Sequence, residues 1–296
     1  RNQAVFEGSV DSSIFDGNPA GGLFVEVADN AAVTDMSVDG NSFTNTTDPI
    51  RFLRTADGVI GSGTPVAILN NTIDGGTNGI SLAARNSNNL DRYTVNDNTI
   101  TNTTNVGILL EHGFDARLDV DMDNNSVTGS GSHGIQAFQT AGTITPELRR
   151  LSGLWQNLTV AESGGNGIDL SARLGPGLTI TNSDIINSAG IGMNVTGPGT
   201  LDATFNLIEG SGSHGIAVTG VGFKNMSFDN NTIRLNDGDG FRLINNGNEG
   251  GFGFTIKANN NVIELNTKRG INILNQGDDD TTFTANGNLI NGNGNE

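Results

Sequence analysis

Short apolar runs recur along nearly the whole chain, each bounded by Asn or Gly. The unit is Asn-x-Ile, then, about eight positions after the Asn, Gly-Ile-x-Leu, then a further alternating apolar run. It reads Asn71-Thr72-Ile73 with Gly79-Ile80, Asn98-Thr99-Ile100 with Gly107-Ile108, and Asn125-Ser126-Val127 with Gly134-Ile135. It returns as Asn206-Leu207-Ile208 with Gly215-Ile216, Asn231-Thr232-Ile233 with Gly240-Phe241, and Asn261-Val262-Ile263 with Gly270-Ile271. Apolar residues two apart mark strands with one buried face, so each unit predicts three short strands joined by turns.

One series of anchors is Phe15, Phe43, Ile73, Ile100, Val127, Val160, Ile185, Ile208, Ile233, Ile263 and Ile290, which sets a period of about 27 residues. A second series is Leu23, Ile50, Ile80, Ile108, Ile135, Ile168, Ile191, Ile216, Phe241 and Ile271. Gly precedes each of these except Ile50, and a tight corner with positive φ is the expected reason. A third strand precedes each Asn, as in Leu118/Val120/Met122 and Leu178/Ile180. A repeat that cannot bury its apolar face alone must stack on its neighbours, so the pattern predicts an all-β, three-faced parallel coil. It has about 10–11 rungs, spans residues 1–296 as one domain and is about 50 Å long. Asn41, Asn71, Asn98, Asn125, Asn206, Asn231, Asn261 and Asn288 fall one per turn, where stacked amides can form a ladder.

The repeat and its Asn column resemble the right-handed parallel β-helix of the pectin-lyase-like superfamily, from about Phe15 to Ile290. The resemblance implies the fold. It does not choose a function, because that superfamily holds polysaccharide lyases, glycoside hydrolases, epimerases, tailspikes and non-catalytic adhesins. The glycosidase pattern for polygalacturonate is not met: Gly131-Ser132-His133-Gly134 stands where Gly-His-Gly is wanted, and Arg-Ile-Lys is missing. The epimerase signature Asp-Pro-His-Glu is missing too, since Asp48-Pro49 is followed by Ile50.

Composition narrows the partners. The formal charge is −17 with Lys at only three positions, a balance that disfavours nucleic acid and anionic membranes and suits an exterior setting. Without Cys there are no disulfides, thiolate metal sites or thiol nucleophiles. No apolar run reaches spanning length, so direct membrane insertion is not expected.

The step from Val127 to Val160 is longer than the others, and residues 140–156 are read as an inserted loop. It holds Arg149, Arg150 and Trp155, a candidate sugar platform, though Trp155 also stands level with inward-facing Met122. Asp119, Asp121 and Asp123 alternate with apolar residues, so three carboxylates face outward. Arg92 falls beside them on the preceding rung, giving a candidate lyase or hydrolase site. The acidic turns at Asp237/Asp239 and Asp278–Asp280 are candidate Ca²⁺ sites, calcium being the one cofactor considered. His133 and His214 occur in matching Ser-Gly-Ser-His-Gly-Ile phrases three rungs apart, too far to share a metal. Thr positions are too irregular in sequence to argue an ice-binding face.

The reading favoured is a non-catalytic extracellular or cell-surface stalk or adhesin-type segment of a longer repeat protein, with a glycan as candidate ligand. The alternatives are a polysaccharide lyase or glycoside hydrolase at the carboxylate cluster, and a solenoid that self-associates end to end.

Overall fold

The computed structural model describes residues 4–85, 89–113, 116–140, 151–220, 224–246, 253–278 and 280–294. Within them the chain winds through three parallel sheets that face one another across a narrow core. Each rung, such as Leu90–Asn96, Thr99–Thr101 and Val106–His112, contributes one strand to each sheet in turn. The first sheet runs from Val5–Asp11 to Thr281–Thr284, the second from Ile14–Asp16 to Leu289–Asn291, and the third from Leu23–Val27 to Ile271–Asn275. Among the described residues no helix is long and apolar enough to cross a membrane.

The first anchor series is the central, inward position of every strand in the second sheet. It pairs in unbroken register from Phe15 through Ile100, Val127 and Val160 to Ile290. Stacking like on like fills the core in columns: Phe15 lies on Phe43 with ring centroids 4.6 Å apart, and Phe52 meets Tyr93 edge-on at 5.7 Å. The second series holds except at one rung, where Met193 and not Ile191 pairs with Ile168 and Ile216. The phrase Gly190-Ile191-Gly192-Met193 offers two Gly-apolar steps, and only the later one keeps the spacing from Ile185 that other rungs use.

Each strand of the second sheet is three residues long and flanked by left-handed residues. On the entry side these include Asn70, Asp97, Asn124, Asn157 and Asn182, and on the exit side Asn45, Asn102, Glu162 and Asn187. A ladder Asn follows the entry-side residue, so the ladder residue is not itself the left-handed one. The Asn98 carboxamide oxygen accepts from the Asn71 backbone N–H at 3.0 Å and from its Nδ2 at 2.9 Å, and the Asn125 oxygen accepts in the same way from Asn98. The ladder stops at Leu158 and Ser183 and resumes through Asn206, Asn231, Asn261 and Asn288. A second ladder, unseen in the sequence, links Asn236, Asn266 and Asn293 on the exit side.

The Gly that precedes the third-sheet anchors other than Ile50 is not there for positive φ. A Cβ on Gly79 would lie 2.6 Å from the Ile100 methyl and 2.7 Å from the Gly107 carbonyl oxygen of the next rung. Close rung-to-rung approach excludes any side chain.

The inserted loop is shorter than expected. Its last residues, Leu151–Gln156, form a strand of the first sheet, and residues 141–150 lie outside the described ones. Among the described residues Arg54, Asp91 and Lys224 are charged groups taken inside the coil. Arg54 donates to Asp91 at 2.8 and 2.9 Å, both side chains being fully buried, and burial raises the Asp91 carboxyl to about 6 against the opposing pull of Arg54. Lys224 is buried and donates to the carbonyls of Thr196 and Gly197.

Candidate functional site: a polar strip on the third sheet

The carboxylates read from the sequence do face outward, with Arg92 opposite Asp119 and Thr94 opposite Asp121. Each is occupied by the following rung. Asp119 accepts from the Ser152 hydroxyl, Asp121 from the Leu154 amide and Asp123 from Asn157, all at 2.8 Å. Pairing lapses between Asp119/Ser152 and Met122/Trp155, and Asp121 supplies the acceptor that the Leu154 amide lacks there. The row thus sutures an irregular strand. Its members sit along one flat strand rather than converging in a cleft.

Trp155 is fully buried and its indole N–H donates to the Val120 carbonyl at 3.0 Å, so it has no face for a sugar. Its register with Met122 made it core, and apolar packing decides the matter. Arg149 and Arg150 lie outside the described residues. Asp237 is exposed whereas Asp239 is buried with both oxygens engaged, so the two are not brought together as a Ca²⁺ pair. Asp278 and Asp280 are exposed, and Asp279 lies outside the described residues. Among the described residues no three His, Cys, Asp or Glu side chains form a metal-sized group.

The structure assembles a different array. Two residues flank each Gly-apolar step, one at the corner and one at the first outward position of the third sheet. From the rung of Ile135 onward they are His133/Gln136, Asn166/Asp169, Ile191/Asn194, His214/Ala217, Asp239/Arg242 and Arg269/Asn272. Stacked rung on rung, they make a two-column strip that is polar apart from Ile191 and Ala217. The readable signal was the pair of residues around Gly-Ile (His-Gly-Ile-Gln, Asn-Gly-Ile-Asp, Asp-Gly-Phe-Arg, Arg-Gly-Ile-Asn), which becomes evident only once rungs are in register.

Two acids centre the strip. Asp169 is only 7% exposed and receives amides from Asn166 at 2.8 Å and Asn194 at 2.7 Å, with Gln136 at 3.5 Å. Asp239 receives the Arg269 backbone N–H at 3.1 Å and Asn272 at 2.7 Å. Each histidine accepts a main-chain N–H from the next rung through Nδ1: His133 from Asn166 at 3.0 Å and His214 from Asp239 at 2.9 Å. Burial, with help from Arg242, lowers the pKa of His214 against the attraction of Asp239, which favours the neutral ring. Nε2 of that ring lies 2.6 Å from Arg242 Nη1. A neutral imidazole has one acceptor nitrogen, and Nδ1 uses it, so two donors face each other across this contact. Arg242 Nε is also buried without a hydrogen-bond partner. The strip therefore carries an excess of donors around His214 and Arg242.

Among solved structures, a variant of the periplasmic alginate epimerase AlgG is similar to this chain. It is 11% identical, with 98% of this chain and 84% of that one covered and a TM-score of 0.55. The A-module of the Azotobacter vinelandii mannuronan C-5 epimerase AlgE6 is 12% identical over 96% of this chain and 91% of that one, with a TM-score of 0.34. The AlgG likeness is one of fold, and the AlgE6 score is too low to add to it. No curated protein matches the sequence. The family model described as "Right handed beta helix region" matches residues 2–149 and 152–296. With that match over nearly its whole length, the chain belongs to the right-handed β-helix family.

Proposed function

We propose that this chain is a non-catalytic β-helical segment that binds polysaccharide along the third-sheet strip, outside the cell or at its surface. The observation that carries the reading is the donor excess at His214 and Arg242 within a track that is polar except at Ile191 and Ala217. Oxygens of a sugar chain are the acceptors such a track lacks. Six rungs at about 4.8 Å span about 25 Å, enough for a short oligosaccharide laid along the coil axis. The polysaccharide class is drawn from AlgG, an alginate epimerase of the same fold. The carboxylates around Asp121 do not compete as a catalytic centre, because each has a structural partner in the next rung.

The test is calorimetric titration of the purified chain with alginate, pectate and neutral polysaccharide fragments, with release of reducing ends or new double bonds followed in parallel. Binding without turnover is expected, weakened about tenfold by Arg242→Ala and left unchanged by Asp121→Ala. Turnover abolished by Asp121→Ala would instead establish an enzyme at the first sheet. Binding indifferent to Arg242→Ala would remove the strip from consideration.

A further inference from the structure

Large apolar side chains in the left-handed backbone region are rare, because a branched or bulky residue is strained there. The entry-side turn column of the second sheet respects this with Ser12, Asn70, Asp97, Asn124, Asn157, Asn182, Asn230 and Asn260, plus Gly40 and Gly287. Phe205 breaks it, at φ 58°. The residue is also 60% exposed. Among the described residues the other exposed aromatic rings are Phe6 and Phe24, both in the first rung, so Phe205 stands apart on the flank of the coil. On the exit side Leu235 and Leu265 are likewise left-handed, at φ 57° and 55°, and exposed, so strain without burial is not peculiar to Phe205; what sets it apart is a flat aromatic face in solvent, which has no packing reason to be there.

Its surroundings supply another. Phe205 borders a shallow depression of about 380 Å³, lined also by Asp184, Leu207, Asn230, Thr232 and Arg234. Arg234 is held by Glu209, with Nε and Nη2 each 2.8 Å from the same carboxylate oxygen, so the cation is tethered and partly neutralised. Asp184 is exposed and, ionised, can only accept hydrogen bonds. An apolar ring face beside acceptors and an amide matches a hydroxyl-bearing sugar ring, with its C–H face on the aromatic and its hydroxyls on the polar groups. Asp184 repels a carboxylated sugar, which selects a neutral one.

We infer that the outer face of the second sheet holds a separate subsite for a neutral pyranose, with Phe205 as its stacking platform. This site lies on a different sheet from the polar strip and stands or falls independently of it.

The experiment titrates cellohexaose, chitohexaose and mannohexaose into the wild-type chain, Phe205→Asn and Phe205→Trp, with thermal melts of all three proteins. Phe205→Asn restores the residue that the turn prefers, so it melts at the same or higher temperature while binding at least one hexamer about tenfold more weakly. Phe205→Trp keeps a ring face and keeps the affinity. The inference is overturned if none of the hexamers binds the wild-type chain, or if Phe205→Asn binds as well as wild type. It is also overturned if Arg242→Ala removes the binding while Phe205→Asn does not, which places the sugar on the strip. Sedimentation that finds a dimer lost in Phe205→Asn would overturn it too, by naming a second copy of the chain as the occupant.

Discussion

At the scale of single residues, the coil tolerates groups that an apolar core excludes, and Lys224 is the test of how. Its ammonium reaches the carbonyls of Thr196 at 2.9 Å and Gly197 at 2.7 Å, with the Phe254 ring 5.8 Å away, yet burial still lowers its pKa to about 7. In the unfolded chain the same group keeps its proton to about pH 10.4. Below pH 7 both states are charged and the desolvation cost is borne in full. Between about pH 7 and 10 the unfolded state holds a proton that the native state has shed, so stability rises with pH across that window. Urea unfolding at about pH 6, 8 and 9.5 should show that rise as roughly a few kcal/mol, and Lys224→Met should flatten it. Nothing around Lys224 in the sequence announced its burial. It occupies an inward position of Lys224–Asp229 where neighbouring strands place Gly199 and Phe254. The inward slot was legible, but two carbonyls ending a neighbouring strand were not.

The ladder Asn belongs to the scale of elements, because each one joins a turn to the turns above and below. Asn98 also donates to the Ile68 carbonyl at 2.9 Å, so its removal strands groups on both neighbouring rungs. Asn98→Ala should lower the unfolding free energy by about 2–3 kcal/mol, measured by chemical denaturation, because buried partners are left unsatisfied. The strands and this ladder could be read from sequence because they repeat at fixed spacing. Errors arose where two physical reasons predict the same residue. Gly79 and its equivalents suit a positive φ as well as a close approach, and only the neighbouring rung reveals that approach decides. Ile191 and Met193 both follow Gly, and only strand pairing distinguishes them. The carboxylate row was visible as an alternation within one strand. The polar strip was not, since its members are some 25 residues apart and meet only after stacking.

For the molecule as a whole, the charge of −17 is spread over a slender coil with little interior to hold it. Like charges on neighbouring rungs repel over a Debye length of about 30 Å at 0.01 M salt but only about 8 Å at 0.15 M. Melting followed over that range should shift upward by a few degrees with added NaCl, a direction opposite to that of a coil held by surface ion pairs. The two turns that bracket the second sheet bear on a different matter. The entry turn takes five residues from Trp155 to Val160 and from Phe228 to Ile233, and the exit turn seven from Ile73 to Ile80 and eight from Ile233 to Phe241, while the passage from the third sheet to the next first-sheet strand ranges from Met193–Ala203 to Ile135–Trp155. Two edges of the prism are thus held to a fixed gauge by left-handed turns and amide ladders, and length variation gathers at the remaining edge. That edge adjoins the third sheet. New segments can be spliced there, at the border of the third sheet opposite the strip, without altering the pitch of the coil, so the scaffold is free to change what it presents while remaining the same rod.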